Sequence, residues 1–194
     1  VPERAEMADY LGWAEEELPF LGVNIRYQTR MDAADVLADE WDAVVLATGS
    51  TPAQTGYRRI IPNWTELPVN GTPILSYRDA LENPSDLGRR ILVVDEDHKH
   101  TAAGTVHALA EMGREVVVAT SALIFGYPEL FQTLEWPLLY PRLIKLGVKF
   151  HTGCMVSKVS EGDAYIMDLA TKITQQVGQF DTIVLATGND PDDS

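Results

Sequence analysis

The sequence holds a single cysteine, Cys154, in 194 residues. One thiol excludes an internal disulfide framework and a cysteine-ligated cluster, and it fits a reducing, cytoplasmic compartment. Cys154 follows a glycine near a predicted strand end, where a packed thiol is favoured over a nucleophile. Basic residues are also scarce. Fifteen Lys and Arg stand against 29 Asp and Glu, for a net charge of −14. Such a surface repels nucleic acid and anionic membrane, so neither is an expected partner. No apolar run is long enough to span a bilayer. The N-terminus, VPERAEMADY, lacks both a signal-peptide pattern and an initiator methionine, and the chain is read as a piece of something longer. The apolar fraction of 45% is that of an ordinary soluble core.

What is present centres on the stretch ILVVDEDHKHTAAGTVHALAEMGREVVVAT, residues 91–120. Ile91–Asp95 is a nearly unbroken apolar run, as in a strand covered on both faces. Thr101 is placed as an N-cap, and Ala102, Ala103, Val106, Leu109 and Ala110 then recur at helical spacing. Gly113 ends the helix, and Glu115–Ala119 is a second buried strand. The result is a βαβ unit, whose strand-to-helix turn commonly binds nucleotides through free backbone N–H groups and the helix dipole.

The glycine fingerprint of that turn is missing. Its three positions fall at Asp97, Lys99 and Ala102, and only Ala102 is small. Asp95, Asp97, His98, Lys99, His100, Thr101 and the N–H groups from Ala102 to Gly104 frame the candidate site. Lys99 and protonated His98 or His100 would neutralise phosphate, whereas Asp95, Glu96 and Asp97 oppose it. A nucleotide site and a solvated turn without ligand both fit these residues. At the end of the second strand, an acid would suit an NAD ribose and an arginine an NADP phosphate. Ala119, Thr120 and Ser121 stand there instead. Thr120 and Ser121 suit either a ribose or the cap of a following turn. His107 and His151 lack the spacing of a metal-ligand pair, and neither a metal site nor a catalytic residue is expected.

Outside this unit, Glu3–Leu18 reads as an amphipathic helix stopped by Pro19. Val23–Tyr27 and Trp41–Thr48 read as strands, the second buried, with a helical turn at Asp32–Leu37. Ala53–Thr72 reads as a long connection and Ile74–Leu81 as a short helix. Leu134–Leu146 is helical but limited by Pro137 and Pro141. Val148–His151, Met155–Val159, Ala164–Asp168 and Phe180–Thr187 read as strands.

One internal similarity links the ends. WDAVVLATGSTP (41–52) and FDTIVLATGNDP (180–191) share an aromatic residue, an Asp, an apolar run, A-T-G and a proline. The bland reading is two ordinary strands ending in glycine turns. The paired occurrence around a βαβ unit favours a functional one.

On these motifs the chain resembles the two-dinucleotide-domain flavoprotein reductases. Within them it is most similar to the C-terminal region of NADH:flavin oxidoreductases related to Old Yellow Enzyme, such as trimethylamine and dimethylamine dehydrogenases, dienoyl-CoA reductase and N-methylproline demethylase-like enzymes. The DEDHKHT turn, IPNWTELP and LEWPLLYPRLIKLGV resemble features of that group. The resemblance implies an α/β fold, with a Rossmann-like βαβ domain inserted in part of an FAD-type domain. It divides the chain into 1–56 (partial FAD-type domain), 57–179 (inserted NAD(P)- or ADP-type domain) and 180–194 (return to the FAD-type domain). It implies FAD, with NAD(P)H or ADP, in the parent enzyme, and none tightly held by this piece. Ala47, Thr48 and Gly49, with Ala186, Thr187 and Gly188, would approach the flavin nucleotide. The implied partners are the remaining domains, including an FMN- and iron–sulfur-bearing barrel. The implied function is the dinucleotide-binding region of a flavin-dependent NAD(P)H oxidoreductase, not catalytic alone. The alternative is a non-catalytic ADP-binding or scaffold module with a degenerate nucleotide site.

Overall fold

The computed structural model describes residues 6–56 and 64–192. It divides into two compact units, residues 2–49 and residues 50–194.

In the first unit, α1 spans Glu6–Phe20 and α2 spans Ala33–Ala38. Pro19 lies inside the last turn of α1 and does not stop it. The stop is made three residues later. The Val23 N–H donates to the Leu18 carbonyl and the Gly22 N–H to the Pro19 carbonyl, with Gly22 at φ +76°, the left-handed geometry of a glycine C-cap. Helix α2 begins on a capping box, in which Asp32 accepts from Ala34 and Asp35 and the Asp35 carboxylate accepts from the Asp32 N–H. The two expected strands are absent. Residues 23–27 and 41–48 form no ladder, and Val44, Val45 and Leu46 are exposed. An apolar run becomes a buried strand only where neighbours take up its backbone N–H and C=O groups. No described strand pairs with these residues.

The second unit carries, in chain order, β1 (Ser50–Pro52), β2 (Val69–Asn70), β3 (Ile74–Ser76), α3 (Tyr77–Glu82) and a 3-10 turn at Pro84–Asp86. There follow β4 (Arg90–Asp95), α4 (His100–Glu111), β5 (Glu115–Thr120), α5 (Glu129–Gln132) and α6 (Trp136–Lys145). The chain ends with β6 (Lys149–His151), β7 (Cys154–Ser160), β8 (Asp163–Asp168), β9 (Thr174–Gln179), β10 (Thr182–Ala186) and β11 (Asn189–Pro191). The stretch expected as one helix from Ile74 is thus a strand followed by a helix. Ser76 caps that helix by accepting from the Asp79 N–H. Helix α5 and strand β9 were not legible as elements, and part of the connection 53–72 lies outside the described residues.

Five parallel strands form the central sheet, in the order β3-β10-β4-β5-β6. A second sheet runs β2-β7-β8-β9, with β7, β8 and β9 antiparallel. The unbroken apolar strands follow from this layering. Along β4, Ile91 and Val93 pack with Val106 and Leu109 of α4, while Leu92 and Val94 pack with Val156 and Ile166 of the second sheet. Both faces of the parallel sheet are therefore covered, helices on one side and antiparallel strands on the other. Cys154 belongs to that second layer, buried, with its thiol donating to the His151 carbonyl at 3.3 Å. Burial also pushes the His151 imidazole below its ordinary value.

Strand β10 sits between β3 and β4, so residues 182–186 share the sheet of the βαβ unit. The expected division at residue 180 does not follow this sheet. The chain leaves it only after Thr187. There β11 pairs antiparallel with β1, with Ser50 opposite Pro191, Thr51 opposite Asp190 and Pro52 opposite Asn189. The x-x-P ends of the two A-T-G-x-x-P segments, Ser50–Pro52 and Asn189–Pro191, thus meet as the strands of one ribbon.

Candidate functional site

The register of the parallel sheet brings Ala186, Asp95 and Thr120 side by side at the C-terminal ends of β10, β4 and β5. Ligands usually bind open α/β sheets at this edge. Asp95, Thr120 and Thr187 are all buried there. Among the described residues, neither Asp95 Oδ2 nor Thr187 Oγ1 has a hydrogen-bond partner. Burial raises the Asp95 carboxyl from 3.8 to about 6, although its other oxygen accepts from the His98 N–H at 2.9 Å.

A phosphate-binding turn offers its backbone N–H groups outward. This turn spends four of them internally. The N–H groups of Glu96 and Asp97 both donate to the Ala186 carbonyl at 3.1 Å. That of His98 goes to Asp95. That of His100 goes to Glu129 Oε1 at 3.4 Å. The N-cap of α4 is Lys99, not Thr101, and it makes no side-chain cap bond. Thr101 lies within the first turn and its carbonyl accepts from Thr105 Oγ1 at 2.7 Å. Ala102 is fully buried, the packing role its size allows, and Gly104 lies one turn into the helix.

The cationic side chains are likewise engaged by carboxylates of the protein. Lys99 pairs with Asp97 at 3.2 Å. His100 turns Nδ1 to Glu129 and Nε2 to Glu135, the latter at 3.2 Å. The Glu129 carboxyl is partly desolvated, yet its hydrogen bonds from His100 hold it below the usual carboxylate range. His98 places Nε2 2.8 Å from Ser121 Oγ, and Ser121 donates to the buried Glu96 at 2.9 Å. Thr120 Oγ1 accepts from the Ala122 N–H at 3.3 Å, the local turn cap that was one of its two readings. The histidines and Ser121, expected to face a phosphate and a ribose, are thus drawn into the turn's own hydrogen bonds. His107 is buried on α4, with Nε2 3.4 Å from Glu111.

Two cavities flank the turn. One, of about 340 Å³, is lined by Ala53, Asp97, Lys99, Thr187, Gly188 and Asn189, among others. The other, of about 490 Å³, is lined by His98, Ala122, Leu123, Ile124, Tyr127 and Pro128. Glu129, Glu135 and this second cavity were missed in the sequence, because residues 121–135 show no periodicity to place them. Ala47, Thr48 and Gly49 lie in the other unit, exposed and outside any strand, while Thr187 and Gly188 follow β10 directly. Among the described residues no His, Cys, Asp or Glu cluster is disposed to hold a metal ion. Nor is any described helix long and apolar enough to cross a membrane.

A parallel sheet with a βαβ unit and a polar edge at its strand ends defines an open α/β domain. The family model "OYE-like second alpha/beta domain" matches residues 75–180, more than half of the chain, and the chain belongs to that family. It is 27% identical over its whole length to N,N-dimethylglycine/sarcosine dehydrogenase of Chromohalobacter salexigens, and spans 28% of that protein. It is 28% identical, over 73% of its length, to dimethylamine dehydrogenase of Hyphomicrobium sp., of which the match covers 19%. Among solved structures, the 6-hydroxypseudooxynicotine amine oxidase of Pseudomonas geniculata N1 superposes with a TM-score of 0.74 at 25% identity, covering 89% of this chain and 25% of that one.

Proposed function

We propose that this chain is the dinucleotide-domain region of a flavin-dependent oxidoreductase of the amine dehydrogenase kind. The observation that supports this reading best is the β1–β11 ribbon. It joins the x-x-P ends of the two A-T-G-x-x-P segments at the point where the chain enters and leaves the parallel-sheet unit. That is the connection expected of one dinucleotide domain inserted in another. In the parent enzyme, Ala47-Thr48-Gly49 and Thr187-Gly188 approach FAD through their backbone, since glycine admits close contact. The remaining domains carry the redox chemistry, and this region orients. NAD(P)H or ADP would belong at the 95–104 turn.

The second reading, a scaffold whose inserted domain has a degenerate nucleotide site, is favoured for that turn by a specific observation. Four of its N–H groups and its cationic side chains already have acceptors within the protein. The two readings are compatible, because one concerns FAD and the other the inserted domain.

The test is a pair of visible spectra, of this chain alone and of a protein extended to the length of its relatives. The chain alone is expected to be colourless. The extended protein is expected to carry flavin absorption and to release FAD, told from FMN by chromatography of the extracted flavin, and Gly188→Val to reduce its FAD content. An extended protein without FAD would sink the proposal.

A further inference from the structure

Carboxylates outnumber cations about two to one in this chain, and one cavity reverses that balance. It measures about 460 Å³, within the range of small-molecule sites, and lies at the N-terminal ends of β4, β5 and β6. This is the edge of the parallel sheet opposite the 95–104 turn. Arg90, Arg114 and Lys149 line it against a single carboxylate, Glu115.

The sheet register relates these residues. Arg90 stands opposite Glu115, and Lys149 opposite Val117. All four therefore belong to the sheet face that carries Leu92 and Val94. Two strand spacings and a two-residue offset put the Cα atoms of Arg90 and Lys149 roughly 12 Å apart. Two long side chains flanking that gap can close on a ligand with a negative group at each end.

Structural duties account for Arg114 but not for the other two cations. Arg114 follows α4, whose last turn has no basic residue. Its Nη atoms donate to the carbonyls of Pro84 at 3.0 Å, Leu87 at 3.2 Å and Gly88 at 3.3 Å. It ties the start of β5 to the chain before β4 and complements the negative end of the helix dipole. Helix α6 already holds Arg142 and Lys145 in its last turn, so its end does not call for Lys149. Glu115 is taken by Arg89 at 2.8 Å, and Asp181 accepts from the Arg90 backbone N–H at 2.8 Å. Among the described residues, neither the Arg90 guanidinium nor the Lys149 ammonium meets a carboxylate. The Arg90 guanidinium lies instead over the Phe180 ring, 4.9 Å from its centroid. That contact fixes the cation without spending its N–H groups on an anion.

We propose that this cavity binds a small organic dianion, a phosphate monoester or a dicarboxylate, held between Arg90 and Lys149. Both ligand types offer these cations the same chemistry, negative oxygens that accept charge-assisted hydrogen bonds. Glu115 lies on the same face and opposes the ligand, partly offset by Arg89. The site sits at the other edge of the sheet from the FAD role proposed above and does not depend on it. An extended protein without FAD would leave it standing.

The experiment is an NMR titration of the isotope-labelled full chain with glycerol phosphate and with succinate, at constant ionic strength. Wild type, Arg90→Gln, Lys149→Gln and Glu115→Gln are compared. Lys149 and Glu115 are exposed, so their replacement spares the core if Arg90→Gln fails to fold. At least one probe should give saturable shifts centred on the amides of Gly113, Glu115 and Gly147, and which probe binds more tightly identifies the ligand chemistry. Arg90→Gln and Lys149→Gln should each raise its Kd by roughly five-fold or more, and Glu115→Gln should lower it by roughly three-fold, as expected for removing one attractive or one repulsive charge near a surface. Added salt should weaken binding. No saturable shift with either probe, shifts centred on the 95–104 turn, a Kd indifferent to Lys149→Gln, or a Kd not lowered by Glu115→Gln would each overturn the proposal.

Discussion

Asp95→Asn is the sharpest perturbation of the site. Asp95 is fully buried at the end of β4, with one oxygen on the His98 N–H and, among the described residues, no hydrogen-bond partner for the other. Its carboxyl is raised from 3.8 to about 6 by burial. The folded protein therefore holds this proton more tightly than the unfolded chain. The stability that follows is complete below about pH 4 and is lost as pH rises through 6. A rise of roughly two units, at about 1.36 kcal/mol each, amounts to about 3 kcal/mol lost by pH 8. About half of that is already lost at pH 5, because the unfolded carboxyl titrates lower. Wild type should thus lose roughly 1–2 kcal/mol from this group between pH 5 and pH 8. Asparagine keeps the acceptor for His98 and does not titrate. Any fixed cost of its amide is the same at both pH values and cancels. Urea denaturation of both proteins at pH 5 and pH 8 measures the difference. The stability of Asp95→Asn relative to wild type should rise by roughly 1–2 kcal/mol between the two. A relative change below about 0.5 kcal/mol, or one of opposite sign, would refute a buried carboxyl with a raised pKa.

Other expectations concern the frame that holds the site. Ser76→Ala removes the cap of α3 and should cost about 1 kcal/mol in chemical denaturation. Gly56→Ala should destabilise by more than about 1 kcal/mol, since the residue has φ +69° and an added Cβ would stand 2.7 Å from the Leu67 Cβ; an unchanged midpoint would count against that packing. Ile183→Ala, in a strand bonded on both edges and buried in the second-sheet core, should cost about 2–5 kcal/mol with an unchanged denaturant slope.

The central βαβ unit was legible because its information is local. Ile91–Asp95 and Glu115–Ala119 are continuous apolar runs, and a strand covered on both faces needs no more than that. Gly113 closes α4 at φ +77°, a conformation that glycine adopts at little cost. The repeated A-T-G-x-x-P also announced a relation between distant segments. Its form was decided only by tertiary structure. Phe180–Thr187 became an inner strand of the sheet, whereas the similar run at 41–48 pairs with no described strand and remains exposed. Similar runs diverge because a strand is completed by partners that its own residues do not specify.

The site shows the same division. The sequence alone placed Asp95, His98, His100, Thr120 and Ser121 at one edge and showed that the turn carries opposing charges. Which charges would pair was not legible. Glu129 and Glu135 lie 29 and 35 residues beyond His100, in a stretch without periodicity, and only the packing of α5 and the start of α6 brings their carboxylates to its ring. Local patterns specify which backbone conformations are accessible and which faces are apolar. The tertiary fold decides which donor reaches which acceptor, because that depends on how separate elements pack. Here it turned an apparent phosphate turn inward onto the protein's own carboxylates.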